Sequence, residues 1–226
     1  MEKYVNIQMK SDNCNIDIDK LKIIKKVSSA DLLIYSNDLI YHPSDYSINY
    51  LNNIYPKIVD TTVLDLCSGS GIVGLGLSKT NKLVDCADIS IDSINVININ
   101  KQVNDCINVT TIQSDMFNNI DKLYDVIVGV PPMLSTQQYE ERCNLLPRQA
   151  YDAGQNQFNC FKQIIEQGKK HLFKNGRIFL PVSTDMHKEK ITELLQQNSW
   201  NYNYYDCDNL IEQYQYPQGY MELVYD

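Results

Sequence analysis

Val63-Leu-Asp-Leu-Cys-Ser-Gly-Ser-Gly71 is a short apolar run ending in a glycine turn, followed at once by the apolar Ile72, Leu75 and Leu77. The first four residues read as a strand, Gly69 to Gly71 as a tight turn, and the apolar positions after it as a helix. Carried on to Gly74, the turn satisfies the pattern G-x-G-x-x-G over Gly69-Ser-Gly-Ile-Val-Gly74, which several nucleotide cofactors share. Its place between a strand and a helix says more than the pattern does. Glycines there remove the side chains that would hold the backbone away from a ligand.

Outward from this turn, short apolar runs alternate with longer helical stretches. Leu83-Val-Asp-Cys-Ala87 reads as a second strand ending in Asp88, and Ser90 as the cap of a helix that buries Ile94, Ile97 and Val103. Val109-Thr-Thr-Ile112 and Val126-Ile-Val128 are a third and a fourth strand. A helix is expected from Phe158 to Phe173, stopped by Asn175-Gly176, with a fifth strand over Arg177-Ile-Phe-Leu180. Ile191, Leu194 and Leu195 mark a further helix. Trp200 to Tyr205 and Tyr220 to Tyr225, either side of a Pro217-Gln-Gly219 turn, read as closing strands, one of them antiparallel. The fold class is therefore α/β, a mostly parallel sheet of about seven strands with helices on both faces. Residues 1–55 lack this rhythm and are expected to form a lid or cap, leaving 56–226 as the ligand-binding domain.

A chain of 226 residues with 43% hydrophobic content can bury one substantial core. No apolar stretch is long enough for a membrane span, and the opening residues lack the apolar run of a signal peptide, so a cytoplasmic location is expected. The seven cysteines (Cys14, Cys67, Cys86, Cys106, Cys143, Cys160, Cys207) are irregularly spaced and read as reduced thiols. With three scattered histidines there is no metal-ligand pattern, and no metal is expected. A net charge of −8 works against a ligand bound mainly through its phosphates, which disfavours nucleic acid. The basic Lys20 to Lys26 stretch, with Asp17 and Asp19 beside it, reads more plainly as a solvated face.

The charges around the turn narrow the ligand. Asp65 places a carboxylate four residues before Gly69, where a dinucleotide site usually has an apolar residue, and a pyrophosphate would be repelled there. S-adenosyl-L-methionine carries an ammonium and a sulfonium and no phosphate, so an acid at this turn favours it. Asp88, nineteen residues after Gly69, is placed to reach ribose hydroxyls with its two acceptor oxygens. The alternative for Asp88 is a helix cap, a task for which Ser90 is already available. Asp115 is in register to reach an adenine amino group, with Ile89 and Met116 as apolar walls; a plain turn aspartate is the competing reading.

Four segments together resemble a known family: Val63 to Gly71, Asp88-Ile-Ser90, Ser114-Asp-Met-Phe117 and Asp125-Val-Ile-Val-Gly-Val-Pro-Pro132. They look like the successive cofactor and catalytic motifs of class I S-adenosylmethionine-dependent methyltransferases. The likeness is greatest to the branch that modifies the glutamine of translation release factors and to its DNA and RNA amino-methylating relatives. It runs from about Tyr41 to Gly176. The resemblance implies a Rossmann-like sheet and a cofactor held by Asp65, Cys67, Gly69, Gly71, Asp88, Ile89, Asp115, Met116 and Val130. Tyr41-His-Pro-Ser-Asp-Tyr-Ser47 resembles the Tyr-x-Pro segment that such enzymes set beside the methionine end, which makes Tyr41 and Asp45, with the Pro131 carbonyl, the candidates for the substrate side.

The fourth strand departs from the family pattern. Where that branch has Asn or Asp before Pro-Pro and then Tyr or Phe, this chain has Val130-Pro-Pro-Met133. Valine neither donates nor accepts a hydrogen bond, and methionine offers no rigid aromatic face. From this change and the acidic composition, a small-molecule acceptor (an amine, an amino acid or a biosynthetic intermediate) is expected, and release-factor, adenine and cytosine acceptors are not. The competing readings are an enzyme that cyclises or cleaves the aminobutyryl arm of the cofactor, a protein or RNA methyltransferase, and a non-catalytic binding subunit. Oligomeric state is not legible.

Overall fold

The computed structural model describes residues 22–27, 30–142, 147–155, 158–183, 188–206 and 218–226. Cys14, Asp17, Asp19, Lys20, Cys143, Cys207 and Pro217 lie outside them.

The described chain begins with an antiparallel pair, β1 (Lys22–Val27) and β2 (Leu32–Ser36), followed by helix α1 (Asp45–Ile54). There follow β3 (Thr62–Leu66), α2 (Ile72–Leu77), β4 (Leu83–Asp88), α3 (Ile91–Val103), β5 (Val109–Gln113) and β6 (Tyr124–Gly129). The second half holds α4 (Thr136–Arg142), α5 (Asn159–Gln167), β7 (Leu172–Ser183), α6 (Lys188–Gln197), β8 (Asn201–Asp206) and β9 (Gln218–Val224). Strands β3 to β9 form one seven-stranded sheet in the order β5-β4-β3-β6-β7-β9-β8. Every neighbouring pair is parallel except those of β9, which runs antiparallel to both β7 and β8. The expected α/β Rossmann-like sheet with one antiparallel strand near its end is therefore what the chain forms.

The alternation of side chains divides the core between the two faces of the sheet. Val63, Val126, Val128 and Phe179 pack with α1, α2 and α3 on one face. Leu64, Leu66, Ile127, Ile178 and Leu180 pack with α5 and α6 on the other. Because β3 is covered on both faces, Val63 to Leu66 are all buried, and Asp65 is the lone charge among them.

Residues before β3 share this core. Leu32 and Ile34 of β2 and Tyr50, Leu51 and Ile54 of α1 are buried in the same cluster as α2. Asn100 of α3 and its C-cap residue Asn104 fasten β2 in the manner of a neighbouring strand. Asn100 accepts from the Tyr35 amide at 2.8 Å and donates to the Tyr35 carbonyl at 3.0 Å. Asn104 does the same for Leu33, at 2.8 Å in each direction. The match is metric: four residues of helix rise about 6 Å, and two residues of strand about 6.6 Å.

Two boundaries differ from expectation. The helix read as running from Phe158 to Phe173 stops at Gln167, followed by one 3-10 turn over Gly168–His171. A Cβ on Gly168 would meet Ile178 Cδ1 at 2.5 Å, so the chain passes too close to the sheet there for a side chain. Asn175-Gly176 does not stop a helix but lies inside β7, where Asn175 has φ +64° and the pairing with β6 shifts between Tyr124 and Val126. It is a bulge, tied to Tyr225 by bonds of 2.7 and 2.9 Å. The expected fifth strand, Arg177 to Leu180, is the middle of this longer strand.

Candidate active site

Strand order reverses between β3 and β6: the chain leaves β3 toward β4 and β5, then returns to lay β6 on the other side. Ligands of open α/β sheets bind at such a point, beyond the carboxyl ends of the strands, because the diverging loops leave a crevice. A cavity of about 280 Å³ lies there, lined by the β3 turn, the ends of β4 and β5, and the residues after β6.

The turn after β3 is built on left-handed backbone. Cys67, Gly69 and Gly71 have φ of +56°, +55° and +81°, and Gly71 is the residue from which α2 starts. Two acids hold it in place. Asp65, 1% exposed, accepts from the Gly74 amide in the first turn of α2 at 2.9 Å. Asp88 accepts from the Gly69 amide at 2.8 Å with one oxygen and from Ser90 at 2.9 Å with the other. Ser90 caps α3 through the Ser93 amide at 3.4 Å. Burial pushes the Asp65 carboxyl up to about 7, against the pull of the Gly74 and Ser68 hydrogen bonds, and the nearby Asp88 pushes the same way. Burial also raises Asp88, opposed by the Ser90 and Gly69 amides. Both acids are among the residues that line the cavity, which makes that part of its wall suited to cations and hydroxyl donors.

Ile89, Asp115 and Met116 also line the cavity, with Ile89 half-exposed. Met116 is also left-handed, with φ +49°, and its sulfur receives the Cys67 thiol at 3.9 Å. Tyr41 enters from the segment between β2 and α1, bonded to Ser44 at 2.8 Å, and passes over Gly69: a Cβ on that glycine would sit 3.5 Å from Tyr41 Cβ. Val130 lines the cavity just past the end of β6. Of the residues singled out in the sequence, Tyr41, Asp65, Cys67, Gly69, Asp88, Ile89, Asp115, Met116 and Val130 therefore meet at one cavity. Gly71, Asp45 and Pro131 do not line it: Gly71 starts α2, Asp45 sits in the first turn of α1, and Pro131 is buried while its neighbour Pro132 faces the cavity.

Several lining residues carried no signal in the sequence. Leu39 and Ile40 come from the stretch before α1, Gln149, Ala150 and Asp152 from the loop between α4 and α5, and Cys160 and Gln163 from α5. Among the described residues no group of three His, Cys, Asp or Glu side chains could hold a metal ion, and no helix is long and apolar enough to cross a membrane.

Residues 34–204 match the model of the family described as methyltransferase small domain. The chain belongs to this family, the class I S-adenosylmethionine-dependent methyltransferases. S-adenosyl-L-methionine is accordingly the cofactor of this methyltransferase domain. The release factor glutamine methyltransferase of Thermodesulfovibrio yellowstonii is 30% identical over 142 residues, covering 58% of this chain and 51% of that protein. The ribosomal protein uL3 glutamine methyltransferase of Francisella tularensis is 29% identical over 182 residues, covering 76% and 52%. The chain spans about half the length of these relatives. Among solved structures, the Thermus thermophilus 16S rRNA N2 G1207 methyltransferase, in complex with AdoMet and guanosine, superposes with a TM-score of 0.66 at 13% identity over 91% of this chain and 51% of that one, a likeness of fold.

These relatives overturn the expectation of a small-molecule acceptor and partner, since both are named for methylating glutamine in a protein. Two inferences led to that expectation. The acidic average argues against phosphate-rich ligands but carries no information about protein ones. The loss of a polar side chain at Val130 leaves the backbone carbonyls of the same stretch in place.

Proposed function

We propose that this protein methylates the side-chain amide nitrogen of a glutamine in a protein substrate, in the cytoplasm. The observation that carries the reading is the kinship with protein-glutamine methyltransferases over a stretch that supplies most of the cavity.

The residues present fit the cofactor. Asp65 is a buried acid in the cavity lining, whose charged form a neighbouring ammonium would favour. Asp88 has two oxygens, each using one acceptor site on a backbone amide and retaining capacity for the ribose hydroxyls. Asp115 takes the adenine amino group, Ile89 and Met116 flank the ring, and the turn from Cys67 through Gly69 to Gly71 lets the backbone come close. When bound, S-adenosyl-L-methionine supplies the methyl from its sulfonium: the acceptor nitrogen gains the C–N bond, sulfur keeps the electrons of the broken C–S bond, and the displaced proton leaves to water.

Such a displacement is limited by positioning, so no acid-base pair is needed. The carbonyl of Val130, a residue that lines the cavity, accepts one of the two amide hydrogens and turns the nitrogen toward the methyl. The segment carrying Tyr41 covers the methionine end, while Asp45, in the first turn of α1, stands at the protein-facing side.

The test is incubation of the purified protein with isotopically methyl-labelled S-adenosyl-L-methionine and fractions enriched in release factors or in ribosomal proteins. A label on a glutamine residue, mapped by mass spectrometry, is the expected result. Label only in low-mass compounds would overturn the reading.

A further inference from the structure

The loop between α4 and α5 is held against the end of β6 by its own bonds. Leu134 donates to the Tyr151 carbonyl at 3.0 Å and accepts from the Ala153 amide at 2.7 Å. Asp152 gathers the rest of the loop, accepting from the Thr136 hydroxyl at 3.0 Å, the Gly154 amide at 2.8 Å and Arg148 Nε at 2.7 Å. The Tyr151 ring then packs on Tyr41 with centroids 5.0 Å apart. These contacts bring the 3-10 turn Arg148–Ala150 to the cavity, and Gln149 and Ala150 line it.

Cys160 and Gln163, on adjacent turns of α5, line the cavity with Asp115; burial above all, and then the Asp115 charge, raises the Cys160 thiol. Tyr41, Val130, Pro132 and the loop residues line it as well, the loop meeting Tyr41 through the Tyr151 ring and α1 touching the stretch after β6 through the Tyr46 hydroxyl and Met133 sulfur at 3.7 Å. On the protein-glutamine reading the acceptor amide is held beside Val130, which offers it no polar side chain. Asp152 lines the cavity too, but three donors already occupy it, and a carboxylate can only accept. The Gln149 carboxamide offers both a donor and an acceptor, the complement of another carboxamide. Among the described residues it is committed to no hydrogen bond.

We infer that Gln149 is the specificity-determining residue for the acceptor, pairing its carboxamide with that of the substrate glutamine in place of the polar side chain missing at Val130. The inference rests on the protein-glutamine reading above and adds to it the group that tells an amide from other acceptors. Gln149 orients the acceptor and takes no part in the bond changes.

The experiment uses the full chain and a glutamine-bearing protein substrate that the wild type methylates. Gln149→Leu is expected to raise KM for that substrate about tenfold or more, the cost of an unpaired amide, with the affinity for S-adenosyl-L-methionine unchanged by calorimetry. Gln149→Glu, which keeps the acceptor oxygen and loses the donor, is expected to fall between Leu and wild type. An unchanged KM in the leucine variant would overturn the inference, as would a loss of cofactor affinity or a lowered melting temperature that accounts for the change. If the wild type itself labels no protein, the proposed function fails instead, so the two failures are distinguishable.

Discussion

The Asp88 carboxylate receives the amide of Gly69 at 2.8 Å across nineteen residues of sequence, so the acid at the end of β4 closes the glycine turn at the end of β3. One side chain therefore both shapes the turn and lines the cavity.

Asp88→Ala is expected to reduce S-adenosyl-L-methionine affinity at least tenfold and to destabilise the protein by about 1–2 kcal/mol, because the Gly69 and Ser90 amides lose their acceptor. Asp88→Asn keeps one acceptor oxygen and should recover most of the stability but little of the affinity. Calorimetry beside thermal melts separates the two effects, and an unaltered affinity in the alanine variant would remove Asp88 from the cofactor site.

Asp65 sets a pH dependence whose sign is fixed by proton binding. With its folded carboxyl up at about 7, above the ordinary 3.8, the folded state holds a proton that the unfolded chain has released over that interval. Stability of the protein without cofactor should thus fall as pH rises from about 4 to 7, by roughly 3–4 kcal/mol for this group alone. Cofactor affinity should move the other way, rising from pH 6 to 8 as the carboxylate forms to meet a cation. Asp65→Asn is expected to flatten both profiles, measured by melting and by calorimetry across pH; an unchanged slope in affinity would mean that Asp65 meets no charge of the ligand.

Gly74 lies where α2 crosses β3 and β4 too closely for a methyl group. A Cβ there would collide with the Cys86 sulfur and come within 2.9 Å of Asp65 Oδ2. Gly74→Ala should therefore lose about 1–3 kcal/mol despite the better helix propensity of alanine. The same change at Gly69 meets only an ordinary 3.5 Å contact with Tyr41 Cβ, and its cost comes from the φ of +55°. The Gly74 variant is expected to melt lower than the Gly69 variant; the reverse order would contradict the packing described.

Asn100 bonds to both backbone groups of Tyr35 and also donates to the Ser70 carbonyl at 2.9 Å, tying the hairpin to the glycine turn. Asn100→Ala is expected to cost about 1–3 kcal/mol and to speed hydrogen exchange at the Tyr35 amide far more than at amides of β3. Equal acceleration at both would mean that the hairpin opens only with the whole domain.

The order of strands and helices from Thr62 to Gly129 was legible in the sequence, because each element there carries its own local signal: a β-branched run, a glycine turn, a capping serine; α4 carried none and was not read. Asp65 and Asp88 stood out for a similar reason, as acids where a strand should be apolar or should end. The cofactor followed from that charge pattern and the family motifs. What only the tertiary structure decided depends on residues distant in sequence. The docking of β2 by Asn100 and Asn104, the bulge at Asn175 and the arrival of Gln149, Cys160 and Gln163 at the cavity are matches between separately formed elements, and no local pattern encodes them. The side-chain change at Val130 pointed toward a small-molecule acceptor because a sequence displays side chains. Which loop residues stand around Val130 in the cavity is settled only when the chain is folded.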